Sequence, residues 1–287
     1  MSIRRAFKAS NTRTRLAVGM LLAALFCIQC TRSDAFRSQA LFAAISNRTE
    51  GRITPEQLKH LEKLAREDHV ALLKLALAHY DRNYRDYTCT FIKQERISGK
   101  LKEEQWIGVK FMDRPFSVAM TWTRNAPIGD RVLYVEGQHD GQMLVRPKGF
   151  LFKLVGTQMR EPDGPAAMAN TLRPVTMFGF RRSLESLLEV YETAEGRGEA
   201  NCRFLGYRKI AGRHAMVLER VLPPREDYPA KTTTWYLDTQ TLVLLGLEGT
   251  DWDDRLLCSY LYKDIEFNVG LAAADFAPAA NGMPLKE

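Results

Sequence analysis

Large apolar side chains alternate with small or polar ones along RPFSVAMTW, residues 114–122. Side chains of an extended chain change face at every residue, so this pattern predicts a strand. The intervening positions are serine, alanine and threonine, which gives the strand a second, small-residue face. The large apolar face carries Phe116, Val118, Met120 and Trp122.

Similar alternation, interrupted by turn-forming residues such as HDG at 139–141 and PKG at 147–149, recurs along the chain. Because short turns join neighbouring antiparallel strands, the pattern predicts a meander in two groups. The first group lies at about 86–97, 101–112, 115–123, 130–136, 142–147 and 150–155, and the second at about 201–210, 214–221, 231–238, 241–248 and 256–266.

Two helices are predicted from apolar residues that recur every three or four positions. The first begins at TPEQ, where Thr54 and Gln57 form a capping box and Pro55 occupies the first turn. It ends near Asp81, with a bend expected at residues 66–69, where four polar residues interrupt the apolar stripe. The second helix spans about 181–195, and the proline-containing segment 160–178 before it is expected to be a long connection.

The fold class that follows is α+β, with a single domain over residues 54–287. About eleven antiparallel strands are too many for a flat sheet, and curvature reduces the exposed edges that promote aggregation. We therefore expect a strongly curved sheet, an open and unclosed β-barrel, wrapped around the two amphipathic helices.

The N-terminal residues 1–35 have the features of a secretory signal peptide. Five basic residues precede the apolar run LAVGMLLAALFCI, and Ser33 and Ala35 fit a cleavage site. Residues 36–53 are expected to form a flexible lead-in. This predicts a periplasmic or secreted protein, with an uncleaved segment acting as a membrane anchor as the alternative.

The signal peptide also explains most of the net charge of +7. Residues 1–35 hold six of the 41 lysines and arginines and one of the 34 acidic residues, so the rest has a balance of +2. A nucleic-acid-binding surface is not expected from so small a balance.

No recognisable catalytic or metal-binding spacing is present. Cys89, Cys202 and Cys258 remain after signal removal and form no CxxC pair, and His60, His69 and His79 are nine and ten residues apart. No serine lies in a nucleophile elbow and no glycine-rich phosphate loop follows a strand. We expect no cofactor, no metal and no enzymatic activity, with a hydrolase built from dispersed residues as the remaining enzymatic alternative.

Three stretches resemble the bacterial family known as domain of unknown function 1571. They are YTCTFIKQERISGKLKEEQWIGVKF with RPFSVAMTW, then YVEGQHDGQM, and finally YLYKDIEFNVGLAAADFAPAAN, so the resemblance runs from about Asp81 to Asn281. In strand and helix order the chain is also similar to the lipoprotein-localisation (Lol) carriers. That resemblance implies an unclosed β-barrel whose hydrophobic interior, covered by helices, holds acyl chains.

The apolar strand faces are the candidate ligand site, although ordinary protein core explains the same pattern. The candidate residues are Ile107, Val109, Phe111, Phe116, Val118, Met120, Trp122, Leu184 and Leu188. They predict non-catalytic binding of a lipid or of lipoprotein acyl chains in the concave face of the sheet. The alternative is a structural or protein-interaction module of the cell envelope with a filled core.

Overall fold

The computed structural model describes residues 53–285, so the predicted signal peptide and nearly all of the lead-in lie outside the described residues. Within that range the α-helices are α1 (Pro55–Glu67), α2 (His69–Asn83), α3 (Phe150–Val155), α4 (Pro165–Met168) and α5 (Phe180–Gly196). The strands are β1 (Asp86–Ile97), β2 (Lys100–Leu101), β3 (Gln105–Met112), β4 (Ser117–Arg124), β5 (Gly129–Val135), β6 (Met143–Pro147), β7 (Gln158–Arg160), β8 (Asn201–Ile210), β9 (Arg213–Val221), β10 (Thr232–Asp238), β11 (Leu244–Thr250) and β12 (Leu256–Phe267). None of the described helices is long and apolar enough to cross a membrane.

The first predicted helix is two helices that meet at Asp68. The capping box at its start is present, with Thr54 Oγ1 accepting from the Gln57 N–H at 3.3 Å and the Gln57 side chain accepting from the Thr54 N–H. Asp68 has a non-helical backbone and its Oδ1 accepts from the Ala71 N–H at 2.8 Å. Because Asp68 caps α2, the expected bend within 66–69 is a complete break.

The strands form one antiparallel sheet in the order β7-β6-β5-β4-β3-β1-β12-β11-β10-β9-β8, with β2 paired to β1. The last strand, β12, joins the two sequence-local groups by pairing with β1 on one side and β11 on the other. The end strands β7 and β8 are not paired with each other within residues 53–285. The predicted α+β fold with an open antiparallel sheet is therefore confirmed.

Helices α2 and α5 pack against the inner face of this sheet. Tyr191 on α5 accepts a hydrogen bond from Trp235 Nε1 of β10 at 2.9 Å and lies 3.2 Å from His69 Nδ1 of α2. Tyr80 and Phe180 bring the same helices together beside β1, in the middle of the sheet, with ring centroids 6.4 Å apart. All five side chains are buried, so the two helices fill much of the concave side.

The outer face of β4–β6 is covered by the C-terminal segment. Two 3₁₀ turns, Ala273–Phe276 and Ala279–Asn281, place Phe276 and Met283 against Ala119, Leu133 and Leu144. The small-residue face of β4 is therefore buried as well, because the outer surface here carries its own hydrophobic cluster. The strand that alternates most clearly in the sequence has a packed layer on each side.

The predicted strand at 150–155 is wrong, because these residues form α3. Gly149 and Gly156, on either side of FLFKLV, adopt positive φ angles of 62° and 69°. Glycine tolerates this conformation, and the chain direction changes at both positions, so the helix is limited to the six residues between them. A short apolar run has no period that separates helix from strand. The sheet has twelve strands rather than about eleven in the described residues, because β2 and β7 were not predicted.

Candidate ligand-binding site

An apolar cavity of about 370 Å³ lies on the inner face of the first half of the sheet. Its wall follows the pairing register, which aligns Met120 of β4 with Val132 of β5 and Val132 with Val145 of β6. Ile107 and Trp122, opposite each other on β3 and β4, extend the wall toward the centre of the sheet. The volume falls within the range of small-molecule sites, about 300–1,000 Å³.

A buried ion pair forms part of the polar lining of the cavity, which also includes Arg160 and Arg173. Lys93 and Glu95 are two positions apart on β1, so both point to the inner face, and Lys93 Nζ donates to Glu95 Oε2 at 2.9 Å. The two side chains are only 10% and 4% exposed. The Tyr260 hydroxyl of β12 donates to Glu95 Oε1 at 2.7 Å, so the carboxylate has a partner on each oxygen.

The segment of residues 161–178, the cover segment, closes this cavity on the side away from the sheet. It contains α4 and a 3₁₀ turn, Val175–Met177, and contributes Ala167, Pro174 and Phe178 to the lining. Thr171 of the cover segment accepts a hydrogen bond from Lys93 Nζ at 3.0 Å. The buried ion pair therefore also attaches the cover segment to the sheet.

Three of the nine predicted site residues line the cavity: Ile107, Met120 and Trp122. Trp122 is held in the wall by a hydrogen bond of 2.7 Å from its Nε1 to Gln105 Oε1. The other six, Val109, Phe111, Phe116, Val118, Leu184 and Leu188, share the apolar side of their elements without lining the cavity. On α5 the lining residues are Ser183 and Leu187, and Leu187 lies between the two predicted leucines.

An aromatic cluster explains why Phe111 and Phe116 lie in packed core. Phe111 stacks on Tyr87 with centroids 4.8 Å apart and meets Phe116 edge to face at 5.4 Å. Gly179, just before α5, approaches so closely that a Cβ atom there would lie 2.8 Å from the Phe111 ring. The start of α5 thus fills one end of the inner face, and the cavity remains at the other end.

Sequence reasoning did not single out Lys93 and Glu95, although a signal was present. In FIKQER both residues fall on the same strand face as the buried Phe91, so alternation alone places two opposite charges on an apolar face. The cover segment was expected only as a connection. Its position over the cavity depends on contacts such as Thr171 with Lys93, which are distant in sequence and leave no local pattern.

A second cavity of about 560 Å³ adjoins the first. It lies under α5 and the loop at Asp227–Ala230, beside β9–β12. Five residues line both cavities: Arg173, Met177, Leu187, Leu247 and Tyr260. Arg220 of β9 and Thr233 of β10 lie in the wall of the second cavity alone.

The three described cysteines are free thiols, with Cys89 and Cys258 buried and Cys202 half-buried. Burial raises the pKa of the Cys258 thiol to about 11, which keeps it protonated at neutral pH. No group of three or more His, Cys, Asp or Glu side chains that could hold a metal ion occurs in residues 53–285.

Helix α3 presents apolar side chains to solvent beside the first cavity. Phe150 is 75% and Leu154 is 64% exposed, and Ile128 of the neighbouring loop is 63% exposed. Ile128 and Pro147, which precedes the helix, both line the cavity. The exposed apolar surface is therefore continuous with the cavity rim.

The chain is similar in fold to several solved structures. The MucA/MucB complex of Pseudomonas aeruginosa gives 18% identity and a TM-score of 0.41 over 74% of this chain and 62% of that chain. The lipoprotein LppX of Mycobacterium tuberculosis has 10% identity and a TM-score of 0.41, over 72% of this chain and 98% of that chain. A LolA superfamily protein of Nitrosomonas europaea has 9% identity and a TM-score of 0.30, also over 72% of this chain and 98% of that chain. At these identities and TM-scores the likeness is weak and assigns no function to this chain.

No curated protein matches the chain. One family model does match, and it spans residues 84–282, from the end of α2 to the second C-terminal 3₁₀ turn. This agrees closely with the resemblance found between Asp81 and Asn281, and it includes both cavities and the cover segment. The chain belongs to the family described as "Protein of unknown function (DUF1571)".

Proposed function

We propose that this protein binds a hydrophobic ligand, a lipid or the acyl chains of a lipoprotein, without catalysis. The observation that carries the proposal is the apolar cavity of about 370 Å³ between the sheet and the cover segment. A filled core would bring side chains together there, as the aromatic cluster around Phe111 does at the other end of the inner face. The apolar row Met120, Val132 and Val145 instead faces open space.

The binding energy would come from removing apolar surface from water. At about 25 cal/mol per Å², a chain that buries about 300 Å² gains about 7 kcal/mol before the cost of ordering ligand and protein is subtracted. The net binding free energy that remains after this subtraction allows a ligand to bind and to be released again. Methionines at positions 120, 143 and 177 line the cavity, and their flexible side chains adapt to chains of different length.

Ligand exchange would require the cover segment to move. Its link to the sheet includes the Lys93–Thr171 hydrogen bond, and a hydrogen bond from a charged donor contributes about 1.5–3 kcal/mol. Leu172 and Met177 of the segment remain partly exposed, whereas Phe178 at its end is buried against Phe91. On this proposal the part of the segment before Phe178 moves when ligand enters or leaves.

The cellular setting that we propose is the envelope or the extracellular space. The basic N-terminus followed by the apolar run at residues 16–28 supports export, and an uncleaved segment would tether the protein to a membrane.

Titration with a fluorescent fatty acid tests the proposal. Met120→Glu places a carboxylate in the cavity wall, and we expect it to weaken uptake by at least about tenfold while the protein stays folded. Thr123→Glu is the matched control, because it adds the same charge to an exposed position on the same strand. Equal uptake by folded M120E and T123E would contradict ligand binding in this cavity.

A second candidate function is an interaction module of the envelope that binds a protein partner. The exposed apolar side chains Phe150, Leu151 and Leu154 of α3 favour it. The two candidates differ in what the first cavity does. A partner-binding module predicts that wild-type protein takes up no fatty acid, whereas a carrier predicts saturable uptake.

A further inference from the structure

Arg220 is a buried cation that has no carboxylate partner among residues 53–285. It lies on β9 with its side chain on the inner face, and the residue is only 1% exposed. Its Nη2 donates to Thr233 Oγ1 at 3.1 Å, and its guanidinium carbon lies 4.7 Å above the centre of the Tyr191 ring. Nε and Nη1, which carry three of its five N–H groups, have no hydrogen-bond partner in the structure.

This arrangement lowers the stability of the unliganded protein. A buried charge is normally paired, and a buried donor without an acceptor loses its hydrogen bonds to water. Burial lowers the pKa of the Arg220 guanidinium, yet arginine titrates so far above neutrality that it stays charged. The Tyr191 ring supplies a cation–π contact, but this contact gives no acceptor to the N–H groups of Nε and Nη1.

The acidic side chains of the second cavity do not compensate Arg220. Asp227 is bound to Arg197 at 2.6 Å, and Glu189 lies on the solvent side of α5. Neither forms a hydrogen bond or an ion pair with Arg220. The second cavity therefore has a buried guanidinium without a carboxylate partner in its wall, whereas the buried cation of the first cavity, Lys93, is paired with Glu95. Two further arginines contribute positive charge: Arg173 lines both cavities and Arg160 lines the first.

The two cavities are adjacent, since Met177, Leu187 and Leu247 are among the residues that line both. An amphiphile bound across the side chains that the cavities share would place its apolar chain in the first cavity and its polar group in the second. Arg220 offers unpaired N–H donors and a positive charge, which suit a carboxylate or a phosphate.

We propose that Arg220 binds the anionic group of an amphiphile whose apolar chain occupies the first cavity. The inference rests on the proposed function and adds the chemical class of the ligand: an acyl chain joined to a carboxylate or phosphate. It assigns the second cavity as the head-group site.

Competition binding with palmitate and hexadecanol tests this assignment, because the two probes have chains of equal length and only palmitate is charged. Delipidated wild-type protein is expected to bind palmitate about tenfold more tightly. Arg220→Met is expected to remove that preference while leaving the affinity for hexadecanol unchanged. Arg203→Met is the matched control, because it removes an exposed guanidinium from the neighbouring strand β8.

Equal affinity of the wild type for the two probes, or a preference that survives in R220M, would overturn the head-group assignment while leaving lipid binding intact. Failure of both probes to bind would instead refute the proposed function. Inorganic phosphate distinguishes a free anion from a lipid head group. If neither lipid binds and phosphate raises the melting temperature of the wild type but not that of R220M, Arg220 holds a free anion, and the head-group assignment is overturned.

The stability of R220M supplies a second measurement. If Arg220 is present for a ligand, the delipidated variant should be at least as stable as wild type in urea, because an uncompensated buried charge has been removed. A variant that fails to fold, or that unfolds at a much lower urea concentration, would assign Arg220 to the fold and overturn the proposal.

Discussion

At the scale of single residues, the inner face is distinguished by charges placed among apolar side chains. Lys93, Glu95 and Arg220 are all buried, and they differ in their partners. The first two satisfy each other and are joined by Tyr260 and Thr171. Arg220 has no such partner, and for this reason we connect it with a ligand rather than with the fold.

Glu95→Gln is expected to destabilise the protein by about 3 kcal/mol, because it leaves the Lys93 ammonium buried without its carboxylate. The double variant K93M/E95L should recover most of that loss, since apolar replacement of a whole buried pair is often neutral or better. Urea unfolding followed by circular dichroism measures both.

Glu67→Gln is the control for a pair that is exposed, because Lys63 and Glu67 are 67% and 62% exposed at 3.9 Å. We expect Glu67→Gln to lower the free energy of unfolding by less than about 1 kcal/mol. A loss in E95Q no larger than that in E67Q would show that the buried pair contributes little, and it would weaken the role given to Lys93 in attaching the cover segment.

At the scale of elements, the position of α5 decides which part of the inner face is core and which part is open. Its first turn presses Phe180 against Tyr87, and Gly179 against Phe111. One turn later Ser183 already lines the cavity, as does Leu187. The boundary between packed core and cavity therefore follows the path of one helix across the sheet.

Gly179→Ala tests this contact. Gly179 has a φ of 109°, where a side chain is strained, and its added Cβ would lie 2.8 Å from the Phe111 ring. Because strain and overlap act together, we expect a loss of more than about 2 kcal/mol in the free energy of unfolding.

Gly198→Ala, just beyond the other end of α5, separates the two effects. It also has a positive φ, 68°, but no atom lies within 4 Å of the added Cβ, so only strain of about 1 kcal/mol applies. Equal losses in G179A and G198A would mean that α5 can move away from Phe111 at little cost.

The packing of the elements also explains which parts of the site can be predicted from the sequence and which cannot. Alternation identified the inner face of β3 and β4 correctly, because the period of two depends only on the strand. It could not separate Ile107, Met120 and Trp122 from Phe111 and Phe116, since that division depends on where α5 lies. The segment 150–155 is a helix and not the predicted strand, because PKG at 147–149 is typical of a hairpin turn and a short apolar run has no period that separates helix from strand. Lys93 and Glu95 are not among the predicted site residues, although alternation places them on the same strand face as Phe91.

At the scale of the whole molecule, the inner face of the sheet combines packed regions with two adjoining cavities. Helices α2 and α5 pack against β1, β10 and β12, and the second cavity lies under α5 beside β9–β12. The cover segment lies over the first cavity, above β3–β6. The C-terminal segment packs on the outer face of β4–β6, behind the cavity wall. The cavity wall is thus supported from behind, which favours an open space that persists without ligand.

Native mass spectrometry with lipid extraction, on the protein purified from its own host, shows whether the first cavity carries a lipid in the cell. We predict wild-type protein that carries a lipid of defined mass, and M120E protein that carries none while remaining folded. A clean mass for the wild type, together with no uptake of fluorescent fatty acid, would contradict the account. The cavity would then have no lipid-carrying role, and the exposed side chains of α3 would become the surface on which to look for a partner.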